Sequence, residues 1–106
     1  MDAQQVLQDN FEEKNESFLY LLHEKSLFNK EAFRQLHDAI RALADQNVEI
    51  SRNAQKIAFI YGLTLKCFLY HFDKNDKYKI TDMPENYNKM IELLEKSVEY
   101  YFTTRI

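Results

Sequence analysis

At 106 residues, with 45% apolar and 29% charged side chains, the chain has the makings of one globular domain, residues 1–106, and not of a disordered segment. A net charge of −3 argues against a general nucleic-acid binder, whose mark is a basic patch, and suits a basic partner. Eight Phe and seven Tyr against one Gly and one Pro leave too few turn residues for hairpins, so the expected class is all-α.

Taken in chain order, residues 3–25 read as a first helix, with Leu7, Phe11, Phe18 and Leu22 on one stripe that Val6 and Leu21 widen. Lys14, Asn15 and Ser17 dilute that stripe and mark a place for a bend or break. Asn29 is suited to cap a second helix over about 30–46, on which Phe33, Leu36, Ile40 and Leu43 recur at helical spacing. Phe28 precedes the cap and is placed to staple onto Phe33. Gln46 and Asn47 mark the next turn, with Asn47 suited to a left-handed C-cap.

Residues 57–72 are the most apolar run, broken by clearly polar groups only at Thr64, Lys66 and His71. The run extends back through Ala54 to Ile50 and predicts a central helix over about 50–72, apolar on most faces and therefore packed by several neighbours. Gly62 inside it suggests a close helix crossing. A hairpin turning at Tyr61-Gly62 is the competing reading, because the run is rich in strand-forming residues. The run is too short for a bilayer and carries Lys66, and residues 1–5 lack the apolar core of a signal peptide. With a single Cys67, which excludes an internal disulfide, this points to a cytoplasmic protein.

Residues 73–82 form a polar connector in which 78–80 suit an extended conformation. Asp82 and Glu85 resemble a capping box with Pro84 in the first turn, opening a last helix over about 83–103. Its stripe is Tyr87, Met90 or Ile91, Leu94, Val98 and Tyr101 or Phe102. Four helices with two short connections and one longer one predict an antiparallel four-helix bundle around the central apolar helix.

No motif supplies convincing chemistry. Asp73, Asn75 and Asp76 open like an EF-hand calcium loop, but Lys77, Tyr78 and Pro84 stand where a ligand oxygen, a Gly and a bidentate Glu belong. Cys67 and His71, four apart on one helix face, are the candidate metal or nucleophile–base pair, with His23 or His37 as further ligands. They lack a second close-spaced ligand pair, an orienting group and a Gly-lined oxyanion loop. A buried thiol and a rim histidine are the expectation, with no catalytic residue, cofactor or metal.

Two acidic stripes remain, Asp9, Glu12, Glu13 and Glu16 on the first helix and Glu92, Glu95 and Glu99 on the last. Such spacing suits a face that steers a cationic partner. Tyr100, Tyr101 and Phe102 cannot all turn to one core, so Tyr100 should be exposed or touch another element. The stripe from Asp9 to Glu16, this aromatic tail and the four-helix pattern resemble the small all-helical immunity proteins that bacteria make against their own toxins, as in contact-dependent growth inhibition and bacteriocin systems. The resemblance implies a non-enzymatic protein that binds and neutralises a cognate toxin, with acidic groups standing in for a nucleic-acid backbone if the toxin is a nuclease. Glu12, Glu13, Glu16, Glu99 and Tyr100 are the candidate contacts, and the partner is another protein rather than nucleic acid or membrane. A homodimer burying the surplus aromatics is one rival reading. A small metal or acid–base enzyme using Cys67 and His71 is the other.

Overall fold

The expected first helix breaks where its stripe is diluted. The computed structural model describes residues 2–46, 50 and 52–104, and its helices are α1 (Ala3–Phe11), α2 (Phe18–Lys25), α3 (Lys30–Gln46), α4 (Asn53–Phe72) and α5 (Tyr87–Thr103). Asp2 caps α1, accepting the Gln5 N–H at 2.8 Å, and Ser17 caps α2. Between them Glu13, Asn15 and Glu16 take left-handed φ values of 53°, 56° and 58°, a conformation that costs roughly 1 kcal/mol for a residue with a Cβ. The break is held by side chains. Buried Asn10 donates to the Val6 carbonyl at 2.9 Å and accepts the Leu19 N–H at 2.9 Å, tying the end of α1 to the start of α2.

The chain from α2 to α3 follows the sequence closely. Ser26 in a left-handed conformation ends α2, and Asn29 caps α3 by accepting the Ala32 N–H at 2.9 Å. Phe28 stacks on Phe33 with ring centroids 5.6 Å apart, the expected staple. Phe33, Leu36, Ile40 and Leu43 are all buried. The expected turn at Asn47 lies outside the described residues.

The run at 57–72 is one continuous helix, which removes the hairpin reading; among the described residues there is no strand, only an isolated bridge between Leu27 and Thr81. That bridge makes the polar connector part of the fold. Phe28 N–H donates to the Thr81 carbonyl at 2.9 Å, Thr81 N–H donates to the Ser26 carbonyl at 2.6 Å, and Ile80 is buried. Helix α5 starts four residues later than the capping box suggested. Met83 precedes a proline and is pushed out of helical geometry, Pro84 is buried, and Asn86 serves as an N-cap without a side-chain bond.

Two expectations about the architecture are corrected. The neighbours are not all antiparallel. Gln4 pairs with Asn53, Gln8 with Lys56 and Phe11 with Phe59, so α1 runs parallel to α4. Phe33 and Met90 share one end of the α3/α5 seam and Arg41 and Tyr100 the other, so these two are parallel as well. Phe72 meets Tyr87 while Tyr61 feels the charges of Glu95 and Glu99, which makes α4 and α5 antiparallel. Nor is α4 enclosed. It packs against α1, α2 and α5 but makes no sustained approach to α3. Its buried strip is Ile57, Ile60, Thr64, Cys67 and Phe68, while Phe59, Leu69, Tyr70 and Phe72 are exposed. Gly62 faces solvent, and a Cβ built on it would meet nothing within 4 Å, so no crossing explains it.

The core joins all five helices through Leu7, Phe18, Leu22, Ile40, Ile60 and Leu94, among others. Phe18 sits at its aromatic centre, edge-on to Phe28 and Phe33 with centroids 5.3 Å away in each case.

Candidate functional site

The first acidic stripe does not survive as a face. Asp9 is buried and accepts from Gln5 at 2.8 Å and Asn15 at 3.2 Å, so it is structural. Glu12, Glu13 and Glu16 lie beyond the end of α1, in the turn before α2. Glu12 pairs with Lys14 at 2.7 Å, and the Lys14 hydrogen bond holds its carboxyl below the ordinary range. Glu13 bonds the Nδ1 of His23 at 2.6 Å, and of the four acids in this stripe only Glu16 points out with no partner among the described residues. Glu13, His23 and Glu24 bring their ligand atoms within 4.8 Å of one another, but two of the three residues are exposed and the Glu13–His23 bond accounts for the approach.

Tyr100 touches another element, one of the two outcomes its place in the aromatic tail required. Its hydroxyl donates to Asp45 on α3, which pushes the phenol's pKa up, and the Arg41 guanidinium lies 4.3 Å from its ring centroid. This ring is already committed to the α3/α5 seam. Glu99 stays exposed, and the structure brings it together with none of Glu12, Glu13 or Glu16 through any bond between described residues.

Cys67 and His71 are each spoken for by other groups. Burial pushes the Cys67 thiol up, and the polar group beside it is the Tyr78 hydroxyl, not an imidazole. That hydroxyl also reaches the Leu22 carbonyl. His71 accepts the Ile80 N–H on Nδ1 at 2.8 Å, so that nitrogen carries no proton in the neutral ring. Burial, then the charge of Lys79, holds its pKa below the usual 6.5. Lys79 itself donates to the carbonyls of His71 at 2.9 Å and Asp73 at 3.0 Å, a cation on the C-terminal end of α4. The calcium-like loop is thus ordered by a lysine from within, with Asp73 and Asp76 accepting the N–H groups of Asn75 and Tyr78.

The feature with the most unspent binding capacity lies along α4 and α5. An open groove of about 380 Å³ is lined by Leu65, Leu69, Phe72, Tyr87 and Ile91. Leu69 is 69% exposed and Phe72 51%, high for large apolar side chains, and Phe102 (38%) is exposed three turns beyond Ile91 on α5. Glu95 shares the Ile91 side of α5 by helical spacing, and Glu99 follows one turn on. Burial, then the charges of Glu95 and Glu99, pushes the Tyr61 phenol up, which places both carboxylates beside α4. None of the ion pairs between described residues involves Glu92, Glu95 or Glu99. The sequence signal for this site was the second acidic stripe together with an apolar run wider than one buried strip needs. Reading that width as burial on all sides concealed it.

No protein-family model, curated protein or solved structure matches the chain.

Proposed function

We propose that the protein is a non-enzymatic binding module, most concretely an immunity protein that engages and neutralises a basic toxin domain in the cytoplasm. The observation that carries this reading is the row of large apolar side chains left open on α4 and α5 beside glutamates that pair with no cation among the described residues. Folding alone has no use for Leu69 in water or for the open half of Phe72, whereas a partner that covers them recovers the hydrophobic free energy, about 25 cal/mol per Å² buried. The negative charge beside them would accelerate encounter with a cationic surface and disfavour an anionic membrane or nucleic acid. Of the candidate contacts, Glu99 has the best claim. Glu16 remains open, and Glu12, Glu13 and Tyr100 would each have to leave an existing partner.

Co-expression with the product of each neighbouring gene that arrests growth when expressed alone tests this directly. Growth should be restored, and calorimetry on the purified pair should give a one-to-one complex. A toxin that kills equally with and without this protein, and shows no heat of binding, would remove the immunity reading.

A further inference from the structure

The α4/α5 groove has a polarity along its length that says what fits it. At one end Leu65, Leu69, Phe72, Tyr87 and Ile91 make an apolar floor with almost no polar surface. Moving along α5 away from that end, Glu95 lies one turn and Glu99 two turns beyond Ile91, about 6 and 12 Å at 1.5 Å per residue. The basic residues nearby do not cancel this edge. Lys89 and Lys96 lie further round α5 and Lys66 on the solvent side of α4, and none of them is ion-paired with these glutamates.

We propose that this groove receives an amphipathic helix of a basic protein partner, its apolar stripe on Leu65, Leu69 and Ile91 and its Lys or Arg residues one and two turns along, against Glu95 and Glu99. This rests on the reading of the protein as a binding module and adds the surface and the chemistry of its occupant. A helix-in-groove contact needs apolar anchors at i, i+3 or i+4 and i+7, and the exposed floor extends over that length. A second copy is a poorer occupant, since it brings the same Glu95 and Glu99 edge to the contact.

The probe is a peptide of about 18 residues, five helical turns, made only of Leu and Lys with all Leu on one face, and its Leu/Glu counterpart. Each is titrated into the full chain and followed by backbone amide NMR shifts and fluorescence anisotropy. The Leu/Lys peptide should bind with shifts centred on Leu65, Leu69, Ile91 and Glu95, weaken with added salt, and lose about tenfold in affinity to the double variant Glu95→Lys/Glu99→Lys. The Leu/Glu peptide should bind more weakly to the wild type and more tightly to that variant. Both carboxylates are exposed, so the variant's helical spectrum and melting point should match the wild type. Shifts centred on another surface, equal affinity for both peptides, or no binding of either would overturn the groove. So would sedimentation of the free chain as a dimer with this face protected. Neutralisation of a growth-arresting neighbour's product by a Glu95→Lys/Glu99→Lys variant at full strength would likewise sink the groove and leave the immunity reading standing, whereas failure of the wild type to neutralise any would remove the immunity reading and leave the peptide titrations to decide the groove.

Discussion

Helices α3 and α4 invert the usual link between apolarity and burial. Helix α3 is the more polar, with Arg34, Gln35, Asp38 and Arg41 along it, yet every residue of its Phe33, Leu36, Ile40 and Leu43 stripe is buried between α1 and α5. Helix α4 is the most apolar segment, yet Phe59, Leu69, Tyr70 and Phe72 are exposed. The difference teaches that a narrow apolar stripe reports the core, while apolar residues beyond the width one buried strip requires report something the fold itself does not consume. On α4 that excess lies against the acidic edge of α5.

Substitutions should separate the two helices. Truncating Ile40→Ala on α3 should destabilise by about 2–5 kcal/mol, because it opens a cavity in a fully buried site. Leu69→Ala on α4 should move stability by no more than about 0.5 kcal/mol, as for an exposed surface position. Denaturant unfolding of the two variants checks the pair, and equal losses would break the distinction. Gly62→Ala should stabilise by about 0.5–1 kcal/mol, since the site is helical, open and without a neighbour within 4 Å. A loss of stability there would mean that a close contact does exist at Gly62. Glu16→Gly should likewise gain up to about 1 kcal/mol by relieving a φ of 58°. In a helix running unbroken through residue 16 the same change would cost about 1 kcal/mol, so the sign of the effect tests the break.

The smallest expected effect belongs to His71. Its folded-state pKa lies below the ordinary 6.5, so the unfolded chain takes up the proton first. Its contribution to stability is therefore complete above 6.5 and is lost as the pH falls through the lower folded value, where Nδ1 gains a proton and the Ile80 N–H loses its acceptor. His71→Asn offers an amide oxygen in that place and should flatten this part of the profile. Melting points of both proteins across that range should diverge as the pH drops, and parallel curves would contradict the assignment.

Much of the fold was legible because local rules and packing agreed. The limits of α3, its Asn29 cap and the Phe28–Phe33 staple follow from spacing alone. The break at Glu12–Ser17 was legible only as a weakness, since the bonds of Asn10 that fix it reach a residue nine positions away. The late start of α5 followed from Pro84, whose effect on Met83 outweighed a capping pattern. The path of α4 relative to α3 had no local signal, because apolar width does not tell which sides have neighbours. The candidate site was half visible. Glu92, Glu95 and Glu99 could be read as an acidic stripe, but only the pairing of α4 with α5 sets them beside an open apolar floor.

The most direct test of the claim that the exposed side of α4 serves a partner and not the fold is the affinity of Leu69→Ala for the Leu/Lys peptide, measured by anisotropy beside the wild type. The account predicts about tenfold or greater weakening in a variant whose unfolding midpoint is unchanged. Wild-type affinity in that variant would contradict it.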